Sequence, residues 1–194
     1  MKPIVAIIGR PNVGKSTLFN RIVISRKAIV EREAGVTRDR IYADAEWSGR
    51  QFIIVDTGGL GSESDEFGPL IEEQAKAAVQ EADTILMLVD ARVGVLPDDL
   101  EVADLLRRAG KPVIVAANKA ETERLRQSSQ EFFSLGLGEP WPVSAAHGMG
   151  VGDLLDAVVD LLPPPSPDGD EAPSQRPPTF AVIGRPTVGK SSLV

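Results

Sequence analysis

The chain has 194 residues, 42% of them hydrophobic and 25% charged, a balance typical of a soluble globular protein. It contains no cysteine, which excludes a disulfide framework and a zinc–thiolate site. The formal net charge of −7 excludes broad electrostatic attraction of the whole chain to nucleic acid. No apolar stretch approaches the roughly 20 residues that span a bilayer, so we expect a cytoplasmic protein without membrane contact.

Short apolar runs alternate with helical patterns along the first 162 residues. The runs that predict buried strands are Ile4 to Ile8, Phe52 to Val55, Ile85 to Val89 and Val113 to Ala117. The segment from Tyr42 through Gly49 to Phe52 predicts a hairpin with one antiparallel strand. Helical patterns cover Asp98 to Ala109 and Val151 to Leu162. This alternation predicts a three-layer α/β fold, a mostly parallel sheet with helices on both faces.

The composition changes after this region and then an earlier pattern returns. Residues 163–178 contain seven prolines and three acidic residues, which predicts an exposed, extended linker. Residues 179–194 begin a repeat, because AVIGRPTVGKSSL matches the earlier AIIGRPNVGKSTL at ten of thirteen positions. This second copy carries one strand and one loop, and we predict that it is disordered or docked on a neighbour. The domain prediction is therefore 1–162, then a linker, then the start of a second unit.

The first copy of the repeat fits the phosphate-loop pattern G-x-x-x-x-G-K-[ST] between a strand and a helix. Backbone N–H groups of such a loop surround an anion at the positive end of the helix. Lys15 would bridge the terminal phosphates, and the Ser16 hydroxyl would ligate magnesium. The residues assigned to the loop are Gly9, Arg10, Pro11, Asn12, Val13, Gly14, Lys15, Ser16 and Thr17. The matching second loop comprises Gly184, Arg185, Pro186, Thr187, Val188, Gly189, Lys190 and Ser191.

Two further segments complete the predicted phosphate site. Asp56-Thr57-Gly58-Gly59 follows an apolar strand, which suits an outer-shell magnesium contact and a loop that moves toward a γ-phosphate. Behind a phosphate loop, this interpretation outweighs that of a plain turn or cap. The polar segment from Glu31 to Arg40 contains Thr37, which could add a hydroxyl to the magnesium in the triphosphate state. The alternative is a solvated threonine in a mobile loop.

The residues that would select the base follow the strand at Val113 to Ala117. Glu121 can accept hydrogen bonds from guanine N1–H and from its exocyclic amino group, which adenine cannot match. Asn118 can join loops together and reach the purine, and the stem of Lys119 can cover the ring. The base segment is Asn118-Lys119-Ala120-Glu121, joined by Ser144-Ala145-Ala146, whose small side chains would let backbone N–H groups approach the base oxygen.

These motifs, in this order, are similar to those of translation-factor-related GTPases. The tandem GRPxVGKS loops, the Gly35-Val36-Thr37-Arg38-Asp39 segment and the acidic linker resemble the bacterial double-GTPase family called EngA or Der. The resemblance implies a six-stranded P-loop G domain that binds GTP and GDP with magnesium. It also implies a role in assembling the large ribosomal subunit. In that family a second complete G domain and an RNA-binding-like domain follow, so the chain corresponds to an N-terminal fragment.

Two residues depart from the usual G-domain pattern. Glu121 replaces the usual aspartate and must order one more rotatable bond, which predicts guanine binding weaker by about 1 kcal/mol. Leu60 follows Gly59, where many small GTPases place a glutamine that positions the attacking water. The resemblance suggests a bound potassium ion as the replacement, held partly by Asn12; the alternative is that Asn12 merely caps the loop. The catalytic candidates are then Lys15, Thr37, Gly59 and Asn12.

Several interpretations of the site remain open from the sequence. The leading one is a slow GTPase switch, the second a guanine-nucleotide-binding module without hydrolysis, and the third an ATP-using kinase, which the Asn118–Glu121 segment argues against. His147 is the single histidine and is expected to be an exposed loop residue. Arg10, Arg38 and Arg40 flank the phosphate and switch loops. They either contact phosphate or a partner or are exposed charges, and exposed charges are the preferred expectation.

Overall fold

Six strands form a single sheet in the order β2-β3-β1-β4-β5-β6 in the computed structural model, which describes residues 2–24, 41–57 and 76–164. The strands are β1 (Ile4–Ile8), β2 (Ile41–Trp47), β3 (Arg50–Asp56), β4 (Thr84–Asp90), β5 (Val113–Asn118) and β6 (Pro140–Pro142). All neighbouring pairs are parallel except β2 and β3. The predicted six-stranded, mostly parallel sheet is confirmed.

The turn between β2 and β3 explains the antiparallel edge. Ser48 and Gly49 both have left-handed backbones, with φ of 48° and 78°, and Trp47 pairs with Arg50 across the turn. Two consecutive positive φ values match the twist of the strands that a tight hairpin joins. The hairpin prediction is therefore confirmed, with β3 longer at both ends than the predicted apolar run.

The helices occupy the connections between the parallel strands. They are α1 (Lys15–Ile24), α2 (76–81), α3 (Pro97–Ala109), α4 (Glu123–Ser128), a 3₁₀ helix (Ser129–Leu135) and α5 (Val151–Leu161). The ends of α3 follow from its sequence. Pro97 lies in its first turn, acidic residues follow where the helix dipole is positive, and Gly110 ends it with a left-handed backbone.

The sheet has a hydrophobic core on each face, because successive side chains of a strand point in opposite directions. Val5 and Ile7 of β1 belong to the core that α1 and α5 cover. Ala6 and Ile8 belong to the other core, which includes residues of α2, α3 and the 3₁₀ helix. β4 is fully buried and contributes to both cores. The three-layer prediction is thus confirmed.

The topology fixes where a ligand would bind. β1 lies between β3 and β4, so the chain leaves its carboxyl end at the point where the strand order changes direction. Open α/β sheets bind ligands outside the carboxyl ends of strands at such a point. Asp56, Asp90 and Asn118 are the last residues of β3, β4 and β5, so their side chains are brought to this edge. Among the described residues, no helix is long and apolar enough to cross a membrane.

Candidate nucleotide-binding site

The loop between β1 and α1 contains two glycines at positions that leave no room for a side chain. A Cβ on Gly9 would overlap the main-chain carbonyl of Leu88 in β4. Gly14 has a φ of 97°, and a Cβ there would overlap the side-chain amide of Asn118. Val13 between them is fully buried and anchors the loop to the core. Packing against β4, Asn118 and the core therefore fixes the backbone of the loop on one side. Its other side lies at the carboxyl edge of the sheet.

Lys15 is the first residue of α1, and its ammonium group contacts the backbone of this loop. Nζ donates to the carbonyl oxygens of Gly9 and Arg10, each at 2.9 Å. An ammonium has three donors, so among the described residues these two bonds leave one for a phosphate oxygen. Burial lowers the pKa of Lys15, the nearby carboxylate of Asp56 raises it, and the guanidinium of Arg10 lowers it further. The structure therefore places a partly desolvated cation where the phosphates are predicted.

The two predicted magnesium ligands within the described residues lie after the carboxyl end of β1 and at the carboxyl end of β3. Ser16 is exposed at the start of α1, and Asp56 is buried at the end of β3. β1 pairs with β3 so that Ile7 lies beside Asp56. Thr57 donates its hydroxyl to the carbonyl oxygen of Ile7 at 2.8 Å, which ties the start of the following segment to β1.

Arg10 corrects an expectation from the sequence. It was expected to be an exposed charge, but only 12% of its side chain is exposed, and its Nε lies 3.3 Å from Oδ1 of the fully buried Asp99. Asp99 also accepts a hydrogen bond from the backbone N–H of Leu96 at 3.0 Å, which caps α3. Burial raises the pKa of Asp99 although the Leu96 bond and Arg10 both lower it. The phosphate loop is therefore connected to α3 through a buried ion pair.

Asn118 joins the phosphate loop to the predicted base site. It is 2% exposed, and its Nδ2 donates to the Val13 carbonyl oxygen at 2.8 Å. Its Oδ1 accepts from the backbone N–H of Ala145 at 2.9 Å. The predicted loop-joining contacts of Asn118 are thus present. The segment is not the start of a helix, because α4 begins at Glu123 after Thr122 caps it.

Lys119 makes a second connection at the same edge. Its backbone is left-handed, with a φ of 66°, and its Nζ donates to the Asn12 carbonyl oxygen at 2.7 Å. The same ammonium pairs with Oδ2 of Asp90 at 2.6 Å. This carboxylate at the end of β4 holds the lysine stem across the sheet edge, where it could cover a purine ring.

Glu121 projects toward the same edge and is partly buried, with 19% of its side chain exposed. Its Oε2 pairs with Nη2 of Arg92 at 3.0 Å and accepts from Nε of Arg92 at 3.3 Å. Its Oε1 accepts from the Ser144 hydroxyl at 3.4 Å. A carboxylate held between two donors in this way is oriented as an acceptor, which is the chemistry that the guanine edge requires.

The loop Ser144-Ala145-Ala146 is fixed from several sides. The N–H of Ser144 donates to the Met149 carbonyl oxygen at 2.9 Å, and that of Ala145 donates to Asn118. Arg21 of α1 donates to the carbonyl oxygens of Ala145 and Ala146. His147 is exposed, as expected, and its Nδ1 lies 2.9 Å from the Ser144 hydroxyl. The N–H groups of Ser144 and Ala145 already have partners and Ala146 is the exposed residue of the three, so we expect the Ala146 N–H to be the one that meets a base oxygen.

Four charged residues of this network were missed by sequence reasoning. Asp90 could have been found, since it ends an apolar strand as Asp56 does, and Asp99 could have been recognised as a helix-capping carboxylate. Arg21 and Arg92 carry no local signal, because their partners are distant in the sequence. Predictions on Thr37, Arg38, Arg40, Gly58, Gly59 and Leu60, on most of the linker and on the second loop (Gly184 to Ser191) lie outside the described residues.

Known proteins are similar to this chain in sequence and in fold. Residues 4–119 match the family described as 50S ribosome-binding GTPase. The chain is 57% identical over 197 residues to GTPase Der of Pelotomaculum thermopropionicum, and the match covers 100% of this chain and 43% of that protein. The chain thus spans less than half the length of this curated relative.

Two solved structures of Era are similar in both sequence and fold. Era of Aquifex aeolicus, in a variant bound to GDP and AlF4⁻, is 34% identical with a TM-score of 0.65, over 84% of this chain and 58% of that one. Era in complex with MgGDPNP and nucleotides 1506–1542 of 16S ribosomal RNA is also 34% identical with a TM-score of 0.65. That match covers 86% of this chain and 59% of the Era chain.

Proposed function

Because this chain belongs to the family of 50S ribosome-binding GTPases, we propose that its Lys2–Pro164 unit binds GTP and GDP with magnesium and hydrolyses GTP. The resemblance to the EngA or Der double-GTPase family is confirmed by the identity to GTPase Der along the whole chain. The observation that carries the proposal is the pair of hydrogen bonds by which Asn118 joins the predicted phosphate loop to the predicted base loop at one sheet edge.

Guanine selection is assigned to Glu121. Its two oxygens would accept the N1–H and the exocyclic N–H of guanine, while the Lys119 stem covers the ring. Adenine presents an acceptor at N1 and a C–H at C2, so both bonds would be lost and a partly buried lone pair of the carboxylate would face the N1 acceptor. The described contacts support this role, since Glu121 lies beside Ser144 in the loop that Asn118 fixes.

Phosphate binding is assigned to the backbone N–H groups of the first loop and to Lys15. Magnesium fits the residues present: Asp56 supplies a buried carboxylate near Lys15, and Ser16 supplies an exposed hydroxyl. This ion usually keeps several waters and takes few protein ligands, so a hydroxyl, a carboxylate and substrate phosphates suffice. When bound, it would neutralise charge on the phosphate oxygens. Thr37 is proposed as a further ligand in the triphosphate state.

For hydrolysis, water attacks the γ-phosphorus and the bond to the β–γ bridging oxygen breaks. With the phosphates in the first loop, Lys15 and the loop N–H groups would lie beside the negative charge that develops on the leaving diphosphate and would stabilise it. Leu60 offers no hydrogen bond to the attacking water. We propose that Asn12 helps to hold a potassium ion beside the phosphates, which would supply part of the missing stabilisation. Asn12 is exposed on the loop, and its carbonyl oxygen is already held by Lys119.

A second function is a guanine-nucleotide-dependent docking module in which this chain does not hydrolyse GTP. The apolar Leu60 favours it. For the longer protein to which such a unit belongs, we propose cytoplasmic assembly of the large ribosomal subunit, supported by the family description. The acidic net charge indicates that ribosome contact would rest on local surfaces rather than on overall attraction.

The test is phosphate release from GTP by the full chain in potassium chloride and in sodium chloride at equal ionic strength. We expect turnover that is faster in potassium, reduced in Asn12→Ala, and abolished in Lys15→Ala. Asn20→Ala serves as the matched control, since Asn20 is an exposed residue on the outer part of α1.

The outcomes separate the candidates. If the chain binds GDP but its turnover is equally negligible in both salts, the result would support the docking module and contradict the proposed enzyme. Nucleotide released from the purified protein identifies the base, and adenine compounds there would overturn guanine selection.

A further inference from the structure

Arg92 is a residue of the base site that neither the motifs nor the proposed function uses. It lies in the turn after β4 and reaches the side chain of Glu121 from the neighbouring strand connection. Two of its nitrogens contact the same oxygen, Nη2 at 3.0 Å and Nε at 3.3 Å from Oε2. Glu121 is the more buried partner, with 19% of its side chain exposed against 57% for Arg92.

The turn that carries Arg92 is itself fixed to the site. The backbone N–H of Arg92 donates to Oδ1 of Asp90 at 2.9 Å, and the other oxygen of Asp90 pairs with Lys119. The N–H of Ala91 donates to the Asn118 carbonyl oxygen at 2.8 Å. The backbone from which Arg92 extends is therefore held by the same residues that hold the base segment.

We propose that Arg92 is a positioning residue for guanine recognition, which fixes the rotamer of the Glu121 carboxylate so that both oxygens face the base. The inference rests on the proposed function. A glutamate has one more rotatable bond than the aspartate usual at this position, and ordering it costs conformational entropy. A pairing that orders the side chain before the base arrives removes part of that cost.

The pairing with Arg92 leaves the carboxylate able to bind guanine. An ionised carboxylate has about four lone-pair sites on its two oxygens. Nη2 and Nε of Arg92 belong to one guanidinium group and approach Oε2 together, and the Ser144 hydroxyl lies near Oε1 at 3.4 Å. Because the two nitrogens share one side of Oε2, we expect each oxygen to keep a lone pair for one guanine donor. Guanine presents two donors in a fixed arrangement, so both bonds form only when the carboxylate plane is fixed. A base with a single donor can keep its one bond while the carboxylate rotates.

This difference gives a test that a general loss of structure would not imitate. Affinities for GDP and for inosine diphosphate are measured on the full chain, since hypoxanthine keeps N1–H but lacks the exocyclic amino group. For Arg92→Ala we expect GDP affinity to fall about threefold to fivefold, the upper part of the range for an exposed ion pair, because Glu121 is partly buried. Inosine diphosphate affinity should change less than about twofold, so the preference for GDP falls. Arg92→Lys should restore part of it.

Arg124→Ala is the matched control, because it removes the same charge from an exposed position three residues after Glu121. It should leave both affinities unchanged. In a Glu121→Asp background the shorter side chain no longer reaches Arg92, so Arg92→Ala should have little effect there. Glu121→Asp should also raise GDP affinity more in the Arg92→Ala background than in the wild type.

The outcomes that overturn the inference are distinct. Equal losses for GDP and inosine diphosphate would mean that Arg92 supports only the structure of the loop. A gain in GDP affinity in Arg92→Ala would mean that the arginine competes with guanine for Oε2. If the wild type binds no guanine nucleotide, the proposed function itself fails and this inference fails with it.

Discussion

Replacing Asn118 by alanine tests whether the two halves of the site depend on one side chain. The substitution removes two buried hydrogen bonds, at 2.8 Å to the Val13 carbonyl oxygen and 2.9 Å from the Ala145 N–H. Val13 and Ala145 are 0% and 1% exposed, so the backbone groups left behind are shielded from water. Each such group costs about 1–3 kcal/mol when its partner is removed.

The combined cost of leaving the two backbone groups without a partner is about 2–6 kcal/mol. The space vacated beside Gly14 could admit a water molecule, which would satisfy one group and favour the lower half of that range. We therefore expect Asn118→Ala to lower the free energy of unfolding by about 3 kcal/mol, a large part of the total stability of a domain.

Urea unfolding of the full chain, followed by the fluorescence of Trp47 and Trp141, measures this change. With an m value of about 2 kcal/mol per molar urea, the midpoint should fall by about 1.5 M. Asn20→Ala, an exposed asparagine on α1, is the control and should shift the free energy by less than about 0.5 kcal/mol. If both variants unfold alike, the connection between the loops contributes nothing measurable and the reasoning is refuted.

Two further predictions concern charge. Burial lowers the pKa of Lys15, and phosphate binding needs the charged form of this side chain. As the pH rises into the alkaline range, the GDP affinity of the wild type should therefore fall at a lower pH than that of Lys15→Arg, because arginine stays charged. Parallel curves of affinity against pH would contradict this. The folded-state pKa of Asp99 is raised above its ordinary value of 3.8, so the native state holds its proton longer than the unfolded state. The unfolding free energy of the wild type relative to Asp99→Asn should therefore fall as the pH rises from about 3.8 through the raised pKa. A relative stability that rises over this window would show that the Arg10 pair, rather than burial, controls Asp99.

Much of the fold could be predicted because its signals are local. Apolar runs of four or five residues marked the centres of β1, β3, β4 and β5, and their ends differ from the observed strands by at most two residues. The end of α3 at Gly110 and the β2–β3 turn followed from residues that tolerate left-handed backbones. The segments of the site were identified because glycines, a lysine and an asparagine occur in a fixed order along the chain.

The partners of the charged residues could not be predicted, because they depend on which loops the sheet brings together. Arg10 was expected in solvent, yet the α3 helix places Asp99 beside it. Arg21 reaches the carbonyl oxygen of Ala145 across 124 residues of sequence, and Arg92 reaches Glu121 across 29. No periodicity or short motif indicates such contacts, because they form only when the folded sheet has brought the loops together.

The chemistry expected at each position could be predicted from the sequence alone: a loop that can surround phosphates, a carboxylate suited to guanine, and an α/β pattern with a hairpin at one side. The tertiary structure alone decided how those groups are held. Parallel strands bring Asp56, Asp90 and Asn118 to one edge, and the side chains of Asp90 and Asn118 then bind neighbouring loops that are remote in sequence. Local propensities act over a few residues, whereas the orientation of a carboxylate or an arginine depends on the packed neighbours that only the complete sheet supplies.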